Sequence, residues 1–145
     1  MKRVAQSFWD TSALVALCCP HPSSAVARRA ARQTNRIAVW WGTPVEMSSA
    51  FSQLVRTGDL NEGELSYALK RKSMLGRQWD EIEPSARLRD LAERLPDQYR
   101  LRALDALQLG AALIWCKEKP RNRPFASFDL RLAHAAAKAG FSIIT

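Results

Sequence analysis

Hydrophobic and polar positions follow two patterns along the chain. Short apolar runs of strand length alternate with longer stretches in which apolar residues recur at helical spacing. Four of the short runs predict strands, the first weakened by two polar residues: Val4–Trp9, Ile37–Trp41, Phe125–Phe128 and Phe141–Thr145. The segment "DEIEP" between two helical stretches is too short to be assigned.

The longer stretches carry the start and stop signals of helices. Thr43 is placed as an N-cap, Pro44 as the first helical residue and Gly58 as the stop of one of them. The seven predicted helices cover Thr11–Cys19, Ser23–Gln33, Thr43–Gly58, Asn61–Trp79, Ser85–Leu95, Leu101–Glu118 and Asp129–Gly140.

Strands that alternate with helices predict crossover connections and a parallel sheet. We therefore expect one α/β domain over residues 1–145, a three-layer α/β/α arrangement around a central, mostly parallel sheet of four or five strands. Neither a linker nor an internal repeat divides the chain. In such folds ligands bind outside the carboxyl ends of the strands.

Composition narrows the class of protein. With 47% hydrophobic and 25% charged residues the chain resembles an ordinary globular protein, and no apolar run approaches the ~20 residues of a membrane span. We expect no secretory signal, no membrane contact and a cytoplasmic location. Cys18, Cys19 and Cys116 form no C-x-x-C pair, so they predict reduced core thiols, not a zinc site or disulfide framework.

The charge balance points to a polyanionic partner. Lys and Arg number 22 against 14 Asp and Glu, a net charge of +8 with a pI near 10.0. Such an excess favours nucleic acid, although a basic protein without that partner is the plain alternative. The basic stretches Arg28–Arg36, Lys70–Arg77 and Lys117–Arg123 are candidates for RNA contact; solvated surface is the alternative for each.

Three acidic residues follow predicted strands. Asp10 comes directly after the first strand, Glu46 lies in the first turn of the helix after the second, and Asp129 follows "FASF". The carboxyl ends of parallel strands meet at one edge of a sheet, so these acids map to the same place. Each also has a simpler interpretation as a helix cap or a helix-dipole partner.

Asp105 is the most unusual acid, because from Ala103 to Cys116 only it and Gln108 are polar. Helical spacing places it on the face of Leu109 and Leu113. A buried carboxylate needs a partner or a cation. An ion pair with Arg102 is one answer; convergence with the other three acids is the other.

Four converging carboxylates require a cation, and oxygen ligands favour Mg²⁺ or Mn²⁺. In a basic protein such a site suggests phosphodiester chemistry. His21 and His134 are the only histidines and are expected to be incidental. Trp40, Trp41 and Trp115 lie in apolar runs, which favours core packing over base stacking.

Four motifs in order resemble PIN-domain ribonucleases, with closest likeness to VapC toxins of VapBC toxin–antitoxin pairs. They are "FWDTSALVAL", "PVEMSSAF", "LRALDALQLGAAL" and "FASFDLRLAHAAAKAG". The resemblance implies a Mg²⁺- or Mn²⁺-dependent endoribonuclease with Asp10, Glu46, Asp105 and Asp129 as its catalytic and metal-binding acids. It also implies supporting hydroxyls at Ser12 and Ser127.

The same resemblance implies partners. These are an RNA substrate, a VapB-like antitoxin that covers the acidic site, and a second copy of the chain, with the apolar helices between Thr43 and Leu75 as a possible dimer contact. Two alternatives stay open at this point. One is another Mg²⁺-dependent phosphoryl hydrolase, although Ser12 stands where an aspartyl phosphatase has a second Asp. The other is a non-catalytic RNA-binding or scaffolding module.

Overall fold

Five parallel strands form the centre of the molecule. The structure, a computed structural model, describes residues 2–145. The strands are β1 (Val4–Trp9), β2 (Thr34–Trp40), β3 (Asp80–Ile82), β4 (Pro124–Ala126) and β5 (Ser142–Ile144). They lie in the order β3-β2-β1-β4-β5, and every neighbouring pair is parallel. This confirms the predicted central parallel sheet.

Helices cover both faces of this sheet. They are α1 (Thr11–Cys18), α2 (Ser24–Gln33), α3 (Thr43–Arg56), α4 (Glu62–Gly76), α5 (Ala86–Tyr99), α6 (Ala103–Trp115) and α7 (Leu130–Ala139). One hydrophobic core joins the sheet to α1–α4 and a second joins it to α5–α7. The consecutive residues Phe8 and Trp9 point into different cores, as strand geometry requires. The predicted three-layer α/β/α fold is confirmed.

The polar residues of β1 accept hydrogen bonds from tryptophan side chains on the two sides of the sheet. Ser7 is fully buried, and its Oγ accepts a hydrogen bond from Trp9 Nε1 at 2.8 Å. Gln6 Oε1 accepts one from Trp115 Nε1 at 2.6 Å. A buried indole N–H needs such an acceptor. These residues interrupt the apolar pattern of the strand, yet they satisfy donors that the cores would otherwise leave unpaired.

Pairing with a neighbour explains the strand that the sequence left unassigned. β3 has three residues and pairs with β2. The pairing continues past the end of β2, where Trp41 N donates a hydrogen bond to Ile82 O at 3.0 Å. Trp41 itself is 53% exposed, so its expected core position is wrong, whereas Trp40 is buried. None of the helices within residues 2–145 has the length and apolar character needed to cross a membrane.

Two helix starts differ from the pattern in informative ways. Gly42, not Thr43, is the N-cap of α3, and Thr43 is fully buried in the first turn. Its Oγ1 accepts a hydrogen bond from Gln108 at 3.0 Å in place of capping its own helix. In α4 the predicted first residue, Asn61, is the N-cap, and its capping box with Glu64 fixes where the helix begins.

Candidate active site

The four predicted acids line one cleft at the carboxyl edge of the sheet. Its volume is about 310 Å³. Asp10 caps α1 after β1, Glu46 lies in the first turn of α3, Asp105 lies in the first turn of α6, and Asp129 caps α7 after β4. The full lining is Asp10, Thr11, Ser12, Val15, His21, Glu46, Ala50, Asp105, Gln108, Asp129 and Leu132.

Asp10 is the most firmly held of these acids. It is 2% exposed. Its Oδ1 accepts hydrogen bonds from Ser12 Oγ at 2.7 Å and from the backbone N–H of Ala13 at 2.9 Å. Its Oδ2 accepts one from Ser127 Oγ at 2.6 Å. Both hydroxyls predicted to support the site therefore contact Asp10 and fix its orientation.

Burial makes the negative charge of Asp10 unfavourable. Loss of hydration raises the pKa of the Asp10 carboxyl to about 6, and the neighbouring charge of Asp129 adds to the rise. The hydrogen bonds from Ser127, Ser12 and Ala13 act in the opposite direction but do not offset burial. A nearby cation would therefore stabilise the charged form of Asp10.

Glu46 is held by hydrogen bonds from two other elements. Its Oε1 accepts from Thr11 Oγ1 at 3.1 Å and its Oε2 from Gln108 Nε2 at 3.2 Å. Burial raises the pKa of Glu46, the two hydrogen bonds lower it, and the charge of Asp105 raises it. The side chain is therefore oriented from α1 and α6 at once.

Gln108 lines the cleft, although its sequence pattern predicted no role for it there. It is 2% exposed, and its Nε2 lies within hydrogen-bonding distance of Thr11, Thr43 and Glu46. Its Oε1 is buried and has no hydrogen-bond partner within residues 2–145. The available signal was its position three residues after Asp105, which places both on one face of α6.

Asp105 and Asp129 interact through their charges. Burial raises the pKa of Asp105 and the charge of Asp129 adds to it, while Arg131 and Arg102 lower it. Within residues 2–145 the ion pairs are Arg36–Asp80 and Arg87–Glu118, so Arg102 is not the ion-pair partner of Asp105. Asp129 also caps α7, since its Oδ1 accepts from Leu132 N at 3.1 Å.

His21 lines the cleft, although it was expected to be incidental. It lines the cavity beside the acids, and its ring centroid lies 6.4 Å from that of Phe128. Its Nδ1 accepts a hydrogen bond from Ser23 N at 2.9 Å. Because Nδ1 is the acceptor, a neutral imidazole carries its proton on Nε2, and that nitrogen is a hydrogen-bond donor.

The donors in the cleft fit a hard divalent cation. All four acids offer oxygen, and burial raises the pKa of Asp10, Glu46 and Asp105. No basic side chain within residues 2–145 forms an ion pair with any of the four. Across the same residues, no three Asp, Glu, His or Cys side chains are close enough together to hold a metal ion. The oxygen donors therefore suit such a cation chemically, but the carboxylates are spread around the cleft and do not form a close set of ligands.

Comparisons with solved structures identify the fold. VapC20 of Mycobacterium tuberculosis, a sarcin–ricin loop cleaving toxin, superposes with a TM-score of 0.64 at 18% identity over 93% of this chain and 95% of its own. VapBC2 of Rickettsia felis, bound to a DNA fragment from its promoter, gives 0.64 at 11% identity over 97% and 99%. A toxin–antitoxin complex from Klebsiella pneumoniae gives 0.56 at 16% identity over 83% and 84%.

Sequence comparison alone finds no relative. No protein-family model matches the chain, and no curated protein matches it significantly. The structural likeness therefore establishes the fold: the chain has the PIN-like α/β/α fold of VapC toxins.

Proposed function

We propose that the protein is a Mg²⁺- or Mn²⁺-dependent endoribonuclease and the toxin of a VapBC-type toxin–antitoxin pair. The observation that carries this proposal is the single cleft that Asp10, Glu46, Asp105 and Asp129 line from four separate elements. The net charge of +8 supports an RNA substrate around an acidic centre. The likeness to a sarcin–ricin loop cleaving toxin agrees with this reaction class.

The four carboxylates are the residues that would hold the metal. A bound Mg²⁺ or Mn²⁺ supplies an acidified water molecule and neutralises charge that develops on phosphate oxygens. Because the carboxylates are spread around the cleft, we expect some of them to reach the ion through bound water. The two hydrogen-bonded oxygens of Asp10 leave it few other orientations, which favours it as the anchor of the set.

The chain's own residues keep the site in order. Ser12, Ser127 and the Ala13 N–H hold the charged form of Asp10, and Gln108 with Thr11 holds Glu46. Fixed carboxylates of this kind need no rearrangement when substrate arrives, which is how preorganised sites lower a barrier. Glu46 and Asp129, half-buried at the cleft, are positioned to accept a proton as water attacks the phosphodiester.

Two partners follow from the proposal. One is a small VapB-like antitoxin; the neighbours with this fold include toxin–antitoxin complexes. The other is a second copy of the chain. Large apolar side chains remain exposed between residues 43 and 75, namely Val45, Val55, Tyr67, Leu69 and Met74. They favour the predicted dimer contact, which sedimentation or light scattering of the purified protein tests. As a toxin against RNA, it would act in the cytoplasm.

Cleavage of RNA by the purified protein tests the proposal. We expect RNA to be cut with Mg²⁺ or Mn²⁺ and cutting to stop with a chelator. Asp105→Asn should abolish cutting, whereas Asp90→Asn, which changes an exposed acid of α5, should not. RNA that is bound but never cut would identify a non-catalytic binding module. Hydrolysis of phosphate monoesters without RNA cleavage would identify a different phosphoryl hydrolase.

A further inference from the structure

A second pocket, which shares no lining residue with the acidic cleft, is lined by four arginines. It lies between α2, α4 and the amino end of β2, whereas the acidic cleft lies at the carboxyl edge of the sheet. Its volume is about 320 Å³. Its arginines are Arg28 and Arg32 of α2, Arg36 of β2 and Arg71 of α4, and we call it the arginine pocket.

Three of these arginines have no carboxylate partner. Arg36 is neutralised by Asp80, whose oxygens accept from its Nε at 2.8 Å and its Nη2 at 2.6 Å. For Arg28, Arg32 and Arg71, no acidic oxygen lies within 4.0 Å in residues 2–145. Arg28 and Arg32 are also four residues apart on one helix, where like charges repel. The pocket thus concentrates positive charge that the described fold leaves uncompensated.

A third cavity shares lining residues with both the arginine pocket and the acidic cleft, and we call the three together the groove. The third cavity, of about 720 Å³, shares Arg28 and Arg71 with the arginine pocket and His21 with the acidic cleft. The one acid that lines this middle cavity, Glu64, is engaged in the capping box of α4. From Ser24 to Arg32 the groove follows α2 for about 12 Å, given the rise of a helix.

We infer that this groove carries a single RNA strand, with Arg28, Arg32 and Arg71 binding backbone phosphates away from the phosphate that is cut. The inference rests on the proposed ribonuclease function and extends it to the path of the substrate. Guanidinium groups suit phosphate because they donate paired hydrogen bonds. Trp79 and Gln78 also line the pocket, and an aromatic ring beside cationic side chains is the usual platform for single-stranded nucleic acid. These features favour RNA over an acidic peptide.

Binding measured without cleavage tests the groove. Fluorescence anisotropy with the wild-type protein in chelator would compare single-stranded RNAs of about 4 and about 16 nucleotides, the range of single-strand sites. The test variant is Arg32→Ala/Arg71→Ala. The control is Arg29→Ala/Arg77→Ala, which removes the same charge from exposed positions of α2 and the α4 terminus that line none of the cavities described. Circular dichroism would confirm that both variants are folded.

The test variant should bind the longer RNA, which can span the groove, roughly tenfold or more weakly than wild type, whereas the control variant should lose much less affinity. The test variant's plot of log affinity against log salt should be shallower by about 0.7 per arginine removed, a change absent in the control. Equal losses in both variants, or none in the test variant, would overturn the groove. If the wild type never cuts RNA yet these binding differences appear, the ribonuclease proposal fails and the phosphate-binding pocket stands.

Discussion

Ser127 Oγ donates a hydrogen bond of 2.6 Å to Asp10 Oδ2, across 117 positions of sequence. Ser127 directly follows β4 and Asp10 directly follows β1, and these two strands are neighbours in the sheet. Ser127 Oγ also accepts from the N–H of Asp129 at 3.2 Å. One buried hydroxyl therefore connects two of the four acids of the cleft.

Ser127→Ala should weaken both the fold and the site. It removes a donor from a buried carboxylate, which costs about 2 kcal/mol of unfolding free energy. Loss of the same bond should raise the pKa of Asp10 further, because Ser127 now favours its charged form. Urea denaturation measures the first effect. Ser66→Ala, on the exposed side of α4, is the control and should change stability by no more than about 0.5 kcal/mol.

Gln108→Glu should destabilise the protein most at neutral pH. The new carboxylate cannot donate to Thr11, Thr43 and Glu46, and its charge would repel that of Glu46. We expect a loss of about 2–3 kcal/mol that shrinks on acidification, because protonation removes the repulsion and restores a donor. Gln98→Glu places the same charge at an exposed position and should have little effect. An equal loss in both variants would contradict the role given to Gln108.

The titration of Asp10 should appear in the pH dependence of stability. Its pKa is about 6 in the folded chain and near 3.9 when unfolded, so the native state binds the extra proton between these values. The associated stability is present below about pH 4 and is lost as pH rises through about 6. The Asp10→Asn variant does not lose stability in this way, because the Asn side chain does not titrate. Without divalent cations, its free energy of unfolding relative to wild type should therefore rise by roughly 2 kcal/mol from pH 4 to pH 7. A constant difference would contradict the burial of this charge.

The sequence predicted the elements whose signals are local. β1 has the predicted bounds, and Asp10 indeed caps α1, as the N-cap interpretation required. Asp10 both caps α1 and lines the cleft, so its two interpretations were not exclusive. The same holds for Asp129 at α7. Chain order and sheet direction sufficed to bring these acids to one edge.

The pattern of hydrophobic and polar residues did not predict features that depend on contacts between distant parts of the chain. α5 was expected to end at Leu95, yet it runs through Pro96 to Tyr99, which packs against the core of α5–α7. α6 ends at Trp115, before the predicted end at Glu118, because Lys117 and Glu118 adopt positive φ. The three-residue β3 exists through its pairing with β2, and Gln108 acquires its role from three acceptors that only the fold assembles.

A divalent cation should stabilise the protein against heat. Binding to the folded state alone at about 100 times Kd adds about 2.7 kcal/mol, which for a domain of this size raises Tm by roughly 5–10 °C. Differential scanning fluorimetry with Mn²⁺ measures this, and chelator should reverse it. Asp105→Asn should remove the shift and Asp90→Asn should keep it. An unchanged Tm of the wild type at millimolar Mn²⁺ would argue against a metal site.

The rate of RNA cleavage by Asp10→Asn, measured beside wild type at saturating Mn²⁺, decides whether the acidic cleft is the active site. Asn keeps the cap of α1 and the volume of the side chain, so the fold and the RNA affinity measured in chelator should persist. We expect the cleavage rate to fall at least about 100-fold while RNA binding is retained. Cleavage by the variant at the wild-type rate would contradict the assignment of the acidic cleft as the active site.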